Sequence, residues 1–218
     1  RDPEMSRGLG DVYKRQALKD PLFAKALMKG DVLIPDGASI VKVCKWLKMQ
    51  SQPRERIAGW DLFVFEMNRL NKKGGRCMFM GSSEKVLALI KQRAVVDYPN
   101  LEVVTYSPPY KTEFSQEDNA AIVAAINEAN PDLLWIGMTA PKQEKWIYSN
   151  WQKLNIHCHV GTVGAVFDFY AGTTERAPLW WQQHSLEWFY RLLKEPKRMW
   201  RRYLIGNVLF LWNICKEI

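Results

Sequence analysis

The sequence predicts an α/β fold, a parallel sheet covered on both faces by helices, and three observations predict it. Short apolar runs alternate with longer amphipathic ones from residue 17 to about residue 177. The apolar runs are nearly continuous, as in strands buried on both faces. Several of them end in Gly- or Pro-bearing turns, the punctuation of strand-to-helix connections.

The elements follow in order. Ala17 to Lys29 reads as a helix, with Leu18, Leu22, Ala26 and Lys29 on one face and Phe23 and Leu27 widening the stripe. Asp31 to Ile34 is a short buried strand closed by Pro35-Asp36-Gly37, and a helix runs from Ala38 to about Lys48. After the polar loop Gln50 to Arg56, Trp60 to Asn71 is a helix ended by Gly74-Gly75. Arg76 to Met80 is a strand. Ser83 to Val96 is a helix capped by Ser82 or Ser83, and Leu101 to Tyr106 is the next strand. Ser115 to Asn130 is an amphipathic helix, with Ser115 and Asp118 at capping-box spacing. Asp132 to Ile136 is a buried strand, Pro141 to Trp151 a helix, and His157 to Val160 a strand that Gly161 ends.

The two ends depart from this pattern. Residues 1–16 show neither a helical nor a strand period. Their S-R-G-L-G-D-V-Y-K-R-Q stretch resembles a translated adapter or cloning scar, the alternative being a disordered native N-terminus. The strand that should precede the first helix is therefore expected to be missing. Past a boundary near residue 178 no strand is predicted. The segment 178–218 is helical, basic and aromatic, an appendage to the α/β core of residues 17–177.

Composition bounds the function. With 218 residues, 47% of them hydrophobic, the chain can build one sizeable core. A net charge of +8 suits nucleic acid, anionic lipid or phosphorylated small molecules. No RRM, KH or helix-turn-helix signature supports nucleic acid. Cys44, Cys77, Cys158 and Cys215 form no C-x-x-C pair, so neither a zinc site nor a redox motif is indicated. No apolar run reaches the roughly 18 residues that a spanning helix needs.

Ligands of parallel α/β sheets bind beyond the carboxyl ends of the strands, and three such ends hold unusual residues. Pro35-Asp36-Gly37 places the Asp36 carboxylate at the sheet rim, as a general base or as a helix cap. In Gly137-Met138-Thr139-Ala140-Pro141-Lys142-Gln143-Glu144 and in Gly161-Thr162-Val163-Gly164-Ala165-Val166-Phe167-Asp168, glycines let a ligand approach the backbone and free N–H groups attract phosphate, although either loop serves equally as a plain connection. Neither matches G-x-G-x-x-G or the P-loop. No D-x-D pair is present to hold a divalent metal, and His157, His159 and His184 lack ligand spacing. No metal or cofactor is expected, so arginines would neutralise a bound diphosphate.

Taken together, these blocks resemble the WecG/TagA/CpsF family, glycosyltransferase family 26. The matching stretches are D-V-L-I-P-D-G at 31–37, R-I-A-G-W-D at 56–61, G-M-T-A-P-K-Q-E at 137–144, G-T-V-G-A-V-F-D-F-Y-A-G at 161–172, R-A-P-L-W at 176–180 and L-E-W-F-Y-R-L-L-K-E-P-K-R-M-W-R-R-Y at 186–203. The resemblance implies a Rossmann-like core with a C-terminal helical appendage. It also implies inverting, metal-independent transfer of N-acetylmannosamine, its uronic acid or a related sugar from a UDP-sugar to a polyprenyl-diphosphate-linked saccharide. The family's catalytic Asp falls on Asp36, its sugar- or acceptor-side Gln on Gln143, an Arg on Arg56, and the appendage arginines on Arg191, Arg198 and Arg201. Gly137, Lys142, Gly161, Gly164 and Asp168 complete the expected substrate-binding set. The family's opening strand and its Thr/Asn-bearing loop are expected to be replaced here by the segment 1–16.

Arg56 holds a phosphate or pairs with Asp61. The basic-aromatic appendage suits an anionic membrane surface, the alternative being a helical pair packed on the core. A cytoplasmic enzyme attached to the inner membrane face, either monomeric or a homo-oligomer, is the expected setting. The competing readings are a non-catalytic lipid- or nucleic-acid-binding module and an inactive fragment.

Overall fold

A computed structural model describes residues 5–9, 17, 20–36, 38–46, 48, 53–184, 186–194 and 196; at 5–9, 38–40, 183, 188 and 191 it describes the backbone alone. The strands are β1 (Met5–Leu9), β2 (Val32–Pro35), β3 (Gly75–Gly81), β4 (Leu101–Tyr106), β5 (Leu133–Gly137) and β6 (His159–Thr162). The helices are α1 (Pro21–Met28), α2 (Ala38–Trp46), α3 (Gly59–Lys73), α4 (Glu84–Asp97), α5 (Gln116–Ala129), α6 (Lys142–Asn150), α7 (Val166–Ala171), α8 (Leu179–Gln183) and α9 (Glu187–Lys194). The described strands form one sheet in the order β2-β1-β6-β5-β3-β4, with every pairing parallel.

Cys77 to Met80 of β3 and Leu133 to Ile136 of β5 are apolar because both faces of these strands are covered. In β3, Cys77 and Phe79 face one layer while Met78 and Met80 face the other; in β5, Leu133 and Trp135 oppose Leu134 and Ile136 in the same way. On one side lie Phe63 and Met67 of α3, Leu87 and Ile90 of α4, and Phe167 and Tyr170 of α7. On the other lie Ile122 and Ile126 of α5 and Trp146 and Ile147 of α6.

Local chemistry sets the helix starts. Ser115 Oγ accepts from the Asp118 N–H at 3.1 Å while the Asp118 carboxylate accepts from the Ser115 N–H at 2.9 Å, the capping box that the spacing predicts. Ser83, not Ser82, caps α4. Asp20 caps α1 through the Phe23 N–H and also pairs with Lys145 of α6 at 2.8 Å.

Three expectations are corrected. Residues 1–16 are not without a strand. Met5–Leu9 lies between β2 and β6, with Ser6 opposite both Val32 and Gly161. A slot between two strands is filled through backbone hydrogen bonds, which need no side-chain period. Second, β6 does not stop at Gly161 but runs on to Thr162. Third, the loop after β6 closes into the short helix α7.

Candidate active site

Asp36 and the two glycine-bearing loops lie at the carboxyl ends of their strands, along one edge of the sheet. Asp36 follows β2, and the two glycine-bearing loops follow β6 and β5. At about 4.8 Å per strand, these loops stand roughly 10 Å and 14 Å from the Asp36 position along the sheet. One elongated ligand can reach all three, with Asp36 at one end.

Backbone and ion pairs fix the Asp36 loop. The Asp36 N–H donates to Ile34 O at 2.9 Å, and the Ile57 N–H donates to Pro35 O at 3.2 Å. Arg56 Nε donates to the Asp36 carbonyl at 2.7 Å, and Nη2 stands 3.5 Å from Asp36 Oδ1. The Asp36 side chain is 46% exposed, open to an incoming hydroxyl. It stands two residues ahead of Ala38, the first residue of α2, one position before the N-cap.

Arg56 does not pair with Asp61, which instead accepts from the Ala58 N–H at 3.0 Å and so starts α3. The stronger partner of Arg56 is Glu187 of α9, whose Oε2 takes Nη2 at 2.6 Å. Glu187 Oε1 takes Arg176 Nε at 3.2 Å, and the Arg176 guanidinium in turn lies 5.6 Å from the Trp60 ring centre. Burial pushes the Glu187 carboxyl up, but the hydrogen bond and charge of Arg56, then Arg176, outweigh it and hold its pKa below the usual range. Burial likewise opposes the Arg56 charge, and pairing with Glu187, then Asp36, raises its pKa overall. Sequence reasoning missed Glu187 and Arg176 as site residues. Glu187 reaches back 131 residues to Arg56, and no local period reports such a contact.

Gln143 is buried at the start of α6. Its Oε1 accepts from the Met138 N–H at 3.1 Å and its Nε2 donates to Glu144 at 2.7 Å, so the amide pins the loop after β5. Gly164, with φ +33°, brings the loop after β6 close to Met138 and Gln143. The missing side chains at Gly137 and Gly161 are taken up by the protein itself: the Phe167 ring covers one and the Trp135 ring the other. Lys142 donates to the Lys111 carbonyl and sits 3.5 Å over the Phe114 ring, tying this loop to the one after β4. Burial lowers its pKa. Asp168 lies in α7, where Thr173 Oγ1 meets its carbonyl and carboxylate at 3.2 and 3.4 Å as the helix closes.

For Arg191 the backbone alone is described, and Arg198 and Arg201 lie outside the described residues. Among the described residues, no group of three or more His, Cys, Asp or Glu converges as a metal-ligand set. None of the described helices is long and apolar enough to cross a membrane. In the described part of the appendage, Leu179, Trp180, Phe189 and Leu193 are exposed, while Trp181 packs its ring against those of Phe189 and Tyr190.

Two relatives carry the name N-acetylglucosaminyldiphosphoundecaprenol N-acetyl-beta-D-mannosaminyltransferase. The one from Bacillus spizizenii is 32% identical over 189 residues, 87% of this chain and 70% of that protein. The one from Bacillus subtilis is 31% identical over 188 residues, 86% of this chain and 70% of that protein. The model of the glycosyl transferase WecG/TagA/CpsF family matches residues 11–218, nearly the whole described structure, and the chain belongs to that family.

Proposed function

We propose that the chain moves N-acetylmannosamine or a closely related sugar from a UDP donor to a polyprenyl-diphosphate-linked saccharide, as a step in cell-envelope or extracellular polysaccharide synthesis. The relatives' printed names support the sugar and the lipid-linked acceptor. The single observation that carries the chemistry is the Asp36 carboxylate, exposed at the sheet rim and held by Arg56.

In this reading an acceptor hydroxyl attacks the anomeric carbon from the face opposite the UDP. Its oxygen forms the new glycosidic bond, its proton passes to Asp36, and the bond to the UDP oxygen breaks with its electrons on the leaving group. One such displacement inverts the anomeric carbon. A positioned base contributes about 10²- to 10⁴-fold. Arg191, Arg198 and Arg201 neutralise the departing diphosphate, a task suited to fixed cations. The backbone around Gly164 and the Lys142 ammonium border the donor, with Gln143 holding the loop after β5 in place. Transfer needs no metal. The exposed aromatic and aliphatic side chains of α8 and α9 rest on the inner face of the membrane, where the acceptor resides.

The test is Asp36→Asn. Transfer is expected to fall by about 10²-fold or more while UDP binding persists. Near-parent turnover would remove Asp36 from the base role.

A further inference from the structure

Glu144 is a buried carboxylate, 1% exposed, beside the residue that pins the loop after β5. Its Oε1 accepts from Gln143 Nε2 at 2.7 Å, and Gln143 Oε1 accepts from the Met138 N–H at 3.1 Å. These groups form a relay from the first turn of α6 back to the end of β5.

The two ends of a glutamine amide have nearly the same shape but opposite hydrogen-bonding sense: the oxygen accepts and the nitrogen donates. Turned end for end, the Gln143 amide would set Nε2 against the Met138 N–H, donor against donor. A carboxylate oxygen accepts, so Glu144 takes the nitrogen and delivers the oxygen to Met138. A hydrogen bond to a charged acceptor is stronger than its neutral counterpart, and burial raises the cost of breaking it.

The same amide underlies the other glycine-bearing loop. A Cβ built on Gly164 would stand 3.8 Å from Gln143 Oε1, 3.9 Å from its Nε2 and 3.5 Å from the Met138 carbonyl oxygen. The Val163 N–H donates to Ile136 O at 3.0 Å, so the loop after β6 rests on the end of β5 and on the Gln143 amide together. The orientation of one side chain is felt by both loops.

We infer that Glu144 is a positioning residue for the UDP donor. By accepting from Gln143 Nε2 it fixes which end of that amide meets Met138, and so sets the spacing of the two loops that the diphosphate enters. The inference rests on the reading of these loops as the donor site.

The experiment titrates UDP by calorimetry into the full chain carrying Glu144→Met, Glu144→Gln, Gln143→Leu, or Glu144→Met together with Gln143→Leu. Methionine keeps the length of the side chain and removes the acceptor, whereas glutamine keeps an acceptor oxygen. Glu144→Met is expected to raise the Kd of UDP about tenfold and Glu144→Gln to leave it within about threefold. Once Gln143 is leucine, Glu144→Met should change the Kd by no more than about twofold. In steady-state transfer the Glu144→Met loss should appear in the KM of the UDP-sugar, with the acceptor KM within about threefold. A role confined to the fold would lower the share of active enzyme, and hence kcat, without moving the Kd. Parent Kd in Glu144→Met, a Glu144→Gln variant as weak as Glu144→Met, or losses that multiply in the double variant would overturn the inference. Parent Kd in Gln143→Leu would overturn the reading of the loops as the donor site, and the inference with it. If Glu144→Met does not fold, Glu144→Ala takes its place; the same loss is expected, and a parent Kd overturns the inference.

Discussion

Gly161 lies flat against Trp135: a Cβ built on the glycine would stand 2.1 Å from Cζ3 of the indole. The indole cannot retreat, because it is fully buried, its Nε1 lies 3.4 Å from the Met67 sulfur, and Phe63 packs 5.3 Å away, centre to centre. Gly161→Ala is therefore expected to overpack the core and lower stability by about 1–3 kcal/mol. Urea unfolding measures it. Combining the change with Trp135→Leu should cost less than the sum of the single losses, because the two sites share one space. An unchanged unfolding midpoint for Gly161→Ala would contradict the packing account.

Gln143 supports a second prediction. Gln143→Leu removes the acceptor of the part-buried Met138 N–H and the buried donor to Glu144. Leaving the Met138 N–H without its acceptor costs about 1–3 kcal/mol. The loop after β5 should loosen, so UDP affinity should fall along with stability. Calorimetric titration of UDP against the variant checks the first effect, and urea unfolding the second.

These residues show what the sequence could and could not convey. The alternation at Cys77 to Met80 and at Leu133 to Ile136 is a local period, and it predicts buried parallel strands that the structure contains. The Ser115–Asp118 cap is equally local. Asp36 is legible from its Pro-Asp-Gly turn, but its hold on Arg56 and the link onward to Glu187 are tertiary contacts without any period. Gly161 and Gly137 look alike in sequence to ligand-facing glycines; only packing reveals that Trp135 and Phe167 fill their space. Met5–Leu9 escaped notice for a related reason, since a strand enclosed by two others is specified largely by their backbones.

Glu66 sets a pH dependence. Burial pushes its carboxyl up, but hydrogen bonds from His159 and Arg69 outweigh this and leave its pKa below the ordinary 4.5. A carboxyl with a depressed folded pKa stabilises the fold fully above its unfolded value, and that contribution is lost as pH falls through the folded pKa. Glu66→Gln should therefore be less stable than the parent at about pH 7, with the gap closing as pH drops below 4.5. Urea midpoints of both proteins across that range measure it, and a gap that stays constant would sink the linkage.

Metal independence is directly testable. The sequence has no D-x-D pair, and its last stretch is rich in arginine. Transfer should continue at an undiminished rate in excess EDTA. Activity lost in EDTA and restored by Mg²⁺ or Mn²⁺ would show that a cation, rather than arginine, carries the diphosphate charge.

The segment from Leu186 onward is predicted to have two separable roles. It contributes Glu187, which Arg56 and Arg176 share, so a chain truncated before Leu186 leaves both guanidiniums without that carboxylate. Arg56 is then drawn toward Asp36, and the cations of Arg191, Arg198 and Arg201 are removed as well. Transfer should fall sharply even on a soluble acceptor, while the strands and helices on both sheet faces, which draw their packing from residues before 178, remain folded. The second role concerns the membrane. Leu179, Trp180, Phe189 and Leu193 are exposed apolar side chains on α8 and α9, and the chain continues with Trp200, Tyr203, Phe210 and Trp212 among lysines and arginines. Such a mixture binds the headgroup layer of anionic bilayers through apolar burial and charge together. Co-sedimentation with phosphatidylglycerol vesicles should therefore be strong for the intact chain, weaker in high salt, and largely lost on truncation. Paired measurement separates the roles. Vesicle binding lost with full turnover on a soluble acceptor would leave the segment as an anchor alone. Turnover lost with vesicle binding intact would leave it as part of the active site alone, with the anchor lying in α8 or elsewhere on the core.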